Sequence, residues 1–504
     1  MNLSKSLYTR GLQCTKSLWL KKYKIKQLKK PNEAQQSVFT TGNEVGELAC
    51  ELFPNGVEVK FNQKDYDGMI NTTSKLLADG IKNIYEASFN YEGIFVAVDI
   101  LHINDDKSVE IYEVKSSTYK SSTTTKDLMK YIHDASIQYY VLNGLGYDIK
   151  KTSLVLLNSE YVRGEKLEIE KLFKIVDVSK DVLNLQSAIP DKLKEFEVAL
   201  SDKINEPNID IGIHCNKPYP CDAKDYCWQE QRNIPDYSVF NIFNLGSKKQ
   251  IELYEQGIVN IDDILDNYEM TQIQATSVKN YKSKTININK EAIKEFLDTL
   301  TYPIYHLDFE TFQQAIPQYI GINPYMQIPF QYSLHIQDEN NNLNHKEFLS
   351  KEAIDPRYEL AKRLVKDIPT NVTVLVYNMG FEKGVIKKLA QSFEEFSTHL
   401  MSIHDNIKDL MTPFVNEDYY DPAMKGSYSI KYVMPALVPD MANAYKELEG
   451  VQNGGDAMNL YPQLGVEITD KDEIEVKRKQ LLKYCKLDTL SMVEVLRKLE
   501  GSVK

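Results

Sequence analysis

Two stretches of the chain put acidic side chains where a strand would bury them. In "YHLDFETF", residues 305–312, Asp308 and Glu310 are two apart and share one face, with Leu307 and Phe309 on the other. A bare carboxylate is costly to bury, so such a pair must be hydrogen-bonded, neutralised or bound to a cation. In "GIFVAVDILHINDDKSVEIYEVKSS", residues 93–117, two apolar runs flank the turn-like "NDDKS". Folding that hairpin about Asp106 sets Asp99 opposite Glu113, with Lys115 on the same face as Glu113. Like charges across a ladder repel. Two opposed acids and a lysine make an unhelpful surface but a sensible metal site.

Further residues extend both sets. In "NVTVLVYNMGFEKGVIKKLA" a strand reaches Tyr377, Asn378–Gly380 turns, and Glu382 falls in the first turn of the following helix. "KRKQLLKYCKLDTLSMVEVLRKL" reads as an amphipathic helix with Tyr484 and Asp488 four apart on one face. The six cysteines are Cys14, Cys50, Cys215, Cys221, Cys227 and Cys485. In a reducing compartment they are ligands or core residues rather than disulfides.

These residues lie in three blocks. At 504 residues the chain has room for about three domains. Residues 1–232 open with a basic helical segment, pass through strands and close on "HCNKPYPCDAKDYCW"; residues 233–297 read as short helices; residues 298–504 alternate strands with amphipathic helices. The fold class expected is α/β multidomain. No apolar run is long enough for a bilayer span, and no apolar core of a signal peptide follows the basic N-terminus, so a cytoplasmic protein without membrane contact is expected. The net charge of −12 excludes indiscriminate nucleic-acid binding but not a nuclease, whose metal ligands are acidic. "KKYKIKQLKK" is the one dense basic stretch; it reads equally as a phosphate contact and as a solvated helix face.

The C-terminal block resembles the DEDD exonucleases of the DnaQ-like, RNase H-fold superfamily. Their D-x-E motif is matched by Asp308 and Glu310, their Asn and Phe-Asp junction by Asn378 and Phe381-Glu382, with Glu in place of Asp, and their Y-x-x-x-D by Tyr484 and Asp488. The resemblance implies that Asp308, Glu310, Glu382 and Asp488 hold Mg²⁺ or Mn²⁺, that Tyr484 orients the attacking water, and that nucleotides leave stepwise from a 3′ end. Two hard cations about 3.5–4 Å apart suit such a carboxylate set.

The N-terminal block resembles the PD-(D/E)XK nucleases, in particular the RecB-like group. That implies a restriction-endonuclease-like fold with Asp99 and Glu113 as metal ligands, Lys115 and Gln138 as catalytic residues, and an acid on the early helix. Glu47 is the candidate for that acid and Glu44 the runner-up. The group's Tyr four residues after the Gln is Leu142 here, so Tyr139 or Tyr140 is expected to substitute. One early and three late cysteines, Cys14, Cys215, Cys221 and Cys227, resemble the thiolate set of iron–sulfur RecB-like nucleases. This implies a 4Fe–4S cluster stapling the ends of the domain, with Trp19 and Trp228 flanking it; zinc and plain core cysteines are the alternatives. The middle block faintly resembles a helix-hairpin-helix element.

The whole layout resembles an uncharacterised bacterial family that fuses these two nuclease types. It implies a metal-dependent nuclease with two active sites, acting on nucleic acid, DNA ahead of RNA, in repair, recombination or defence. An RNA-processing 3′–5′ exonuclease with the first domain as a clamp, and a non-catalytic nucleic-acid-binding scaffold, are the other readings.

Overall fold

The structure, a computed structural model, describes residues 2–504. It is an α/β multidomain protein with mixed sheets. The chain divides into two compact units, Met1–Asn233 with Gln314–Met326, and Ile234–Gln313 with Gln327–Lys504. Among the described residues no helix is long and apolar enough to cross a membrane.

The first unit is built on a seven-stranded mixed sheet. Its strands are β1 (Leu3–Ser4), β2 (Val57–Glu58), β3 (Asn83–Tyr91), β4 (Ile94–Ile103), β5 (Val109–Tyr119), β6 (Ile149–Asn158) and β7 (Phe173–Asp177). The order is β2-β3-β4-β5-β6-β7, with β1 added parallel to β4. Alternation in "IFVAVDILHI" makes β4: Ile94, Val96, Val98 and Ile100 are buried, and Asp99 falls on the intervening phase. The turn between β4 and β5 closes through Asp106, whose Oδ1 accepts from the Ser108 amide at 3.0 Å. The helix Thr125–Gly144 carries the chain from β5 to the parallel strand β6. Residues 314–326 complete this unit. Ala315 is buried in a cluster with Ile100, Tyr112 and Val155, and the Tyr325 hydroxyl donates to the Ser116 carbonyl at 2.8 Å.

The basic N-terminal stretch spends part of its charge internally. Lys16 and Lys24 pair with Glu206 and Lys29 with Asp225.

In the second unit, residues 234–297 form short helices around Val239, Ile242, Leu253, Ile261 and Val278. Then come β8 (Asn287–Ile288), β9 (Ile304–Phe312), β10 (Ile328–Gln337), β11 (Leu343–Leu349), β12 (Thr373–Val376), β13 (Ile407–Asp409) and β14 (Tyr419–Tyr420). The main sheet has the order β11-β10-β9-β12-β13; β8 and β14 pair separately. Leu307 and Phe309 of β9 join Tyr332, Leu334, Val374 and Ile386 in the core. Alternation sends Asp308 and Glu310 to the opposite face, under the helix Lys471–Val503.

A buried polar seam sets that helix in place. Gln331, Ser333 and His335 are alternate residues of β10. Gln331 Nε2 donates to the Leu481 carbonyl at 2.9 Å, and the Thr489 hydroxyl is 2.7 Å from Ser333 Oγ and 2.8 Å from His335 Nδ1. Apolar packing alone would let a helix slide over a sheet; directional bonds fix its register and so place Tyr484, Cys485 and Asp488. Thr489→Val keeps the side-chain volume but strips both buried partners of a bond. It should cost about 1–3 kcal/mol of stability, read from chemical denaturation of the full chain. A loss below about 0.5 kcal/mol would show the seam to be incidental.

Candidate metal centres

Four carboxylates, three buried and Asp308 half-buried, come together in the second unit. Asp308 and Glu310 come from β9, and Asp488 from the terminal helix. Glu382 belongs to the first turn of the helix Met379–Ser392. Asn378, in the left-handed region at φ 72°, makes the strand-to-helix corner. Asp409 holds that corner by accepting from the amides of Asn378 and Met379, each at 2.9 Å. With the corner fixed, Glu382 turns inward and is 2 % exposed. Its Oε2 has no hydrogen-bond partner among the described residues.

Burial first, and then Asp488, Glu310 and Glu382, push the Asp308 carboxyl well above the usual range. Glu310 rises for the same reasons, with Lys431 opposing. Burial lifts Glu382 to about 8. Asp488 is lifted by burial to about 6, restrained by hydrogen bonds from Tyr445 and Tyr484 and by Lys431. Without a cation this set keeps protons.

The residues present offer metal-ligating atoms. Asp308, Glu310 and Cys485 each offer a ligand atom within 4.8 Å of the others. An orphaned carboxylate oxygen on Glu382 and an open polar cavity complete the match. The cavity, about 880 Å³, is lined by Asp308, Glu310, Tyr484 and Asp488 together with Lys431 and Tyr432. Tyr445, Lys431 and Cys485 were not foreseen. Tyr445 donates to Asp488 Oδ1 at 2.7 Å, and Lys431 Nζ lies 5.3 Å from the ring centres of Tyr445 and Tyr484. Cys485 Sγ lies 3.4 Å from Asp308 Oδ2. Its position three before Asp488 was a visible signal, since that spacing shares a helix face; Tyr445 carried none.

In the first unit the β4–β5 register sets Asp99 opposite Glu113, in line with the pair Ile100–Tyr112. Glu113 is fully buried. Its oxygens accept from Lys115 at 2.7 Å, from Gln138 at 2.5 Å, and from Lys5 at 2.8 and 2.9 Å. Lys115 also pairs with Asp134 at 2.7 Å. Burial opposes the charge on Glu113, but Lys115 and Lys5 overcome it and hold the carboxyl down at about 2. Asp99, half-buried, rises to about 6 through desolvation and then the charge of Glu113.

The early-helix acid falls elsewhere. Glu47 and Glu44 are both exposed. The acid beside Asp99 is Glu86 of β3: the flanking pairs Tyr85–Ile100 and Ala87–Val98 set it across from Asp99. Burial and Asp99 raise Glu86 to about 7. Tyr139 and Tyr140 do not take the place of the missing tyrosine. Tyr139 packs in the apolar core, and Tyr140 hydrogen-bonds Glu92 at 3.2 Å. The ring near the lysine is Tyr131, seven residues before Gln138 on the same helix face, 5.6 Å from Lys115 Nζ.

Cys14, Cys215, Cys221 and Cys227 line one small cavity in the same unit, with His214 among them. Hydrogen bonds to Cys14 and Cys215 raise His214 to about 10. Trp228 is buried beside Cys215 and flanks the set. Trp19 does not line this cavity; it is a core residue that donates to the Asp202 carbonyl at 2.6 Å.

A model of a domain of unknown function, DUF2779, matches residues 305–429. That span includes Asp308, Glu310 and Glu382 and ends before Lys431, Tyr484 and Asp488. The chain is similar to "Uncharacterized protein UU173" of Ureaplasma parvum serovar 3, at 26% identity over 358 residues, covering 68% of this chain and 48% of the relative. It is also similar to "Uncharacterized protein MG366 homolog" of Mycoplasma pneumoniae, at 25% identity over 300 residues, covering 51% of this chain and 44% of the relative. The chain thus spans less than half the length of either relative. A solved chain described as "Crystal structure of SSO0001" matches 38% of this chain and 76% of its own at 12% identity, with a TM-score of 0.18.

Carboxyls that are protonated in the metal-free fold must ionise to bind a cation. Mg²⁺ should therefore release protons on binding at pH values below about 8, and its apparent affinity should rise up to that pH. The sign for stability is the reverse: the metal-free fold binds more protons than the unfolded chain between the ordinary glutamate value of 4.5 and about 8, so Glu382 costs stability as pH rises through that window. Calorimetric titration in buffers of different ionisation enthalpy measures the release. Equal heats in all buffers would contradict it.

Proposed function

We propose that the protein is a metal-dependent nuclease with one active site in each unit: a DnaQ-like 3′–5′ exonuclease site of RNase H type in the second, and a PD-(D/E)XK, RecB-like site in the first. The observation that carries this reading is the set of four acids, Glu310, Glu382 and Asp488 buried and Asp308 half-buried, three of which line an open polar cavity with Tyr484. Proteins rarely bury acids that repel one another unless a cation is to join them.

Asp308, Glu310, Glu382 and Asp488 would hold Mg²⁺ or Mn²⁺. When bound, such ions supply an activated water and stabilise the leaving oxygen. The chain's own residues do the rest. Tyr484, on the cavity floor, directs the attacking water with its hydroxyl. Tyr445 fixes the Asp488 carboxylate through its 2.7 Å bond. Lys431, beside both tyrosine rings, offsets the negative charge of an incoming phosphate. At the first site Asp99 and Glu113 would hold the metal, Lys115, bonded to Glu113, would offset the charge of the phosphate, and Gln138 orients Glu113.

DNA is the favoured substrate. The test is a full-length protein whose first site is disabled by Glu113→Gln, assayed on matched labelled DNA and RNA. Asp308→Ala in that background should lower 3′-end degradation by on the order of 10³-fold or more while the fold survives. Tyr484→Phe should slow it by about 10²-fold with metal binding retained. Full 3′-end degradation by the double variant would refute the reading, and cleavage of RNA alone would move the substrate to RNA.

We assign the four cysteines, which line one cavity, to a 4Fe–4S cluster by their resemblance to the thiolate set of iron–sulfur RecB-like nucleases. Anaerobically purified protein should be brown and absorb near about 400 nm, as Fe–S chromophores do. Cys221→Ser should lose both the colour and the stability of the first unit. Stoichiometric zinc without iron or sulfide would overturn the assignment.

A further inference from the structure

Lys5 sits in the first site, although nothing in the D…E-x-K pattern calls for it. It is the first residue of the helix Lys5–Gln13, which Ser4 caps and whose C-cap is Cys14. The preceding two residues are fixed as β1 against β4, with the Leu3 amide donating to the Gly93 carbonyl at 3.0 Å. The lysine is thus delivered by anchored backbone. Its ammonium donates to both oxygens of Glu113, at 2.8 and 2.9 Å, and lies 3.5 Å from Asp99 Oδ1. It occupies the place of an ion bridging the two acids.

A carboxylate accepts about four hydrogen bonds. Those of Glu113 are all taken: Oε1 by Lys5 and Lys115, Oε2 by Lys5 and Gln138. Gln138 is fully buried, and its Oε1 has no hydrogen-bond partner among the described residues. The two lysines are not equivalent. Lys115 is braced on its far side by Asp134, whereas the ion pairs of Lys5 are with Asp99 and Glu113 themselves. The side chains of Lys5 and Lys115 are about equally exposed, 23% and 22%, so the difference between them lies in their partners.

We infer that Lys5 is a resident cation at the metal position of the first site, which a divalent ion must displace, so that Lys5 sets the metal requirement of that site. The inference rests on the metal-site reading given above. Exchange replaces one positive charge by two on the same pair of acids. It also relieves the repulsion between the Lys5 and Lys115 ammoniums, which converge on Glu113 Oε1. The freed ammonium, tethered to the helix end, turns to the solvent side from which a phosphodiester would approach. In this arrangement the first site resists weak or dilute cations more strongly than its two acids alone would.

The experiment uses the full-length, anaerobically purified protein with the second site disabled by Asp308→Ala throughout, and follows Mn²⁺ binding by titration calorimetry and by its electron paramagnetic resonance signal. Lys5→Met should bind Mn²⁺ at the first site about 10-fold tighter or more, since the competitor is gone. Lys5→Arg, which keeps the charge, should bind no tighter than the parent. Lys5→Gln leaves a neutral donor on Glu113 and should also bind tighter; it carries the test if Lys5→Met does not fold. Mn²⁺ affinity unchanged or weakened in Lys5→Met or Lys5→Gln overturns the inference. Asp99→Asn separates the two ideas: if it leaves the first-site isotherm intact, the metal reading of that site is what fails.

Discussion

A carboxylate taken out of water needs a positive charge, a proton or a set of donors close by, and both candidate centres are built around that need. They meet it differently. In the first unit Lys5 and Lys115 bring two ammoniums onto Glu113, so it stays ionised. In the second unit no ammonium contacts Asp308 or Glu310 directly; Lys431 acts from beside the tyrosine rings, and the acids rise instead. One centre balances its charge with side chains and the other with protons. Both leave a cation something to displace, a lysine in one case and protons in the other.

Holding the second set together requires a scaffold stiff enough to resist the repulsion that would part it once ionised. Leu307 and Phe309 anchor β9 in the core, so Asp308 and Glu310 cannot turn away without exposing them. The helix carrying Asp488 is fixed by the bonds from Gln331, Ser333 and His335 rather than by apolar contacts alone. Directional bonds matter here because a shift of one helical residue would rotate Asp488 by about 100° away from the sheet. In the first unit the helix Lys5–Gln13 has a comparable part, with Lys5 at one end and Cys14 at the other. The thiol set and the acidic pair therefore share a rigid element.

Much of this was legible because period-two and period-four rules act over short distances. Asp308 with Glu310, Tyr484 with Asp488, and Asp99 with Glu113 all follow from alternation, helical spacing or one hairpin fold. Glu86 follows from the same arithmetic about the turn at Glu92–Gly93: the flanking pairs Tyr85–Ile100 and Ala87–Val98 bring it to the level of Asp99, with its own backbone in the left-handed region at φ 54°. It went unread because the expected third acid was sought on the early helix, where Glu47 and Glu44 instead face water. Lys5 and Tyr445 had no local signal, since each reaches its partner from more than 40 residues away. The grouping of 314–326 with the first unit has no local signal either, because it rests on contacts with residues far away in the chain such as Ser116 and Tyr112.

The glutamate at position 382 is the departure from the D-x-E, Asp, Y-x-x-x-D pattern, and the local backbone gives it a physical sense. Its helix begins at a left-handed Asn378, and Asp409 holds that start by two amide bonds. The corner continues β12, the neighbour of β9 on which Asp308 stands, and Asp409 of β13 ties it from the other side. From there the extra methylene of Glu supplies about 1.5 Å of reach. The cost is burial of a carboxyl with an orphaned oxygen, which holds its proton to about 8. An uncompensated group of that kind is tolerated where a ligand is to complete it, so the substitution reads as a longer arm to the same cation rather than as a lost ligand.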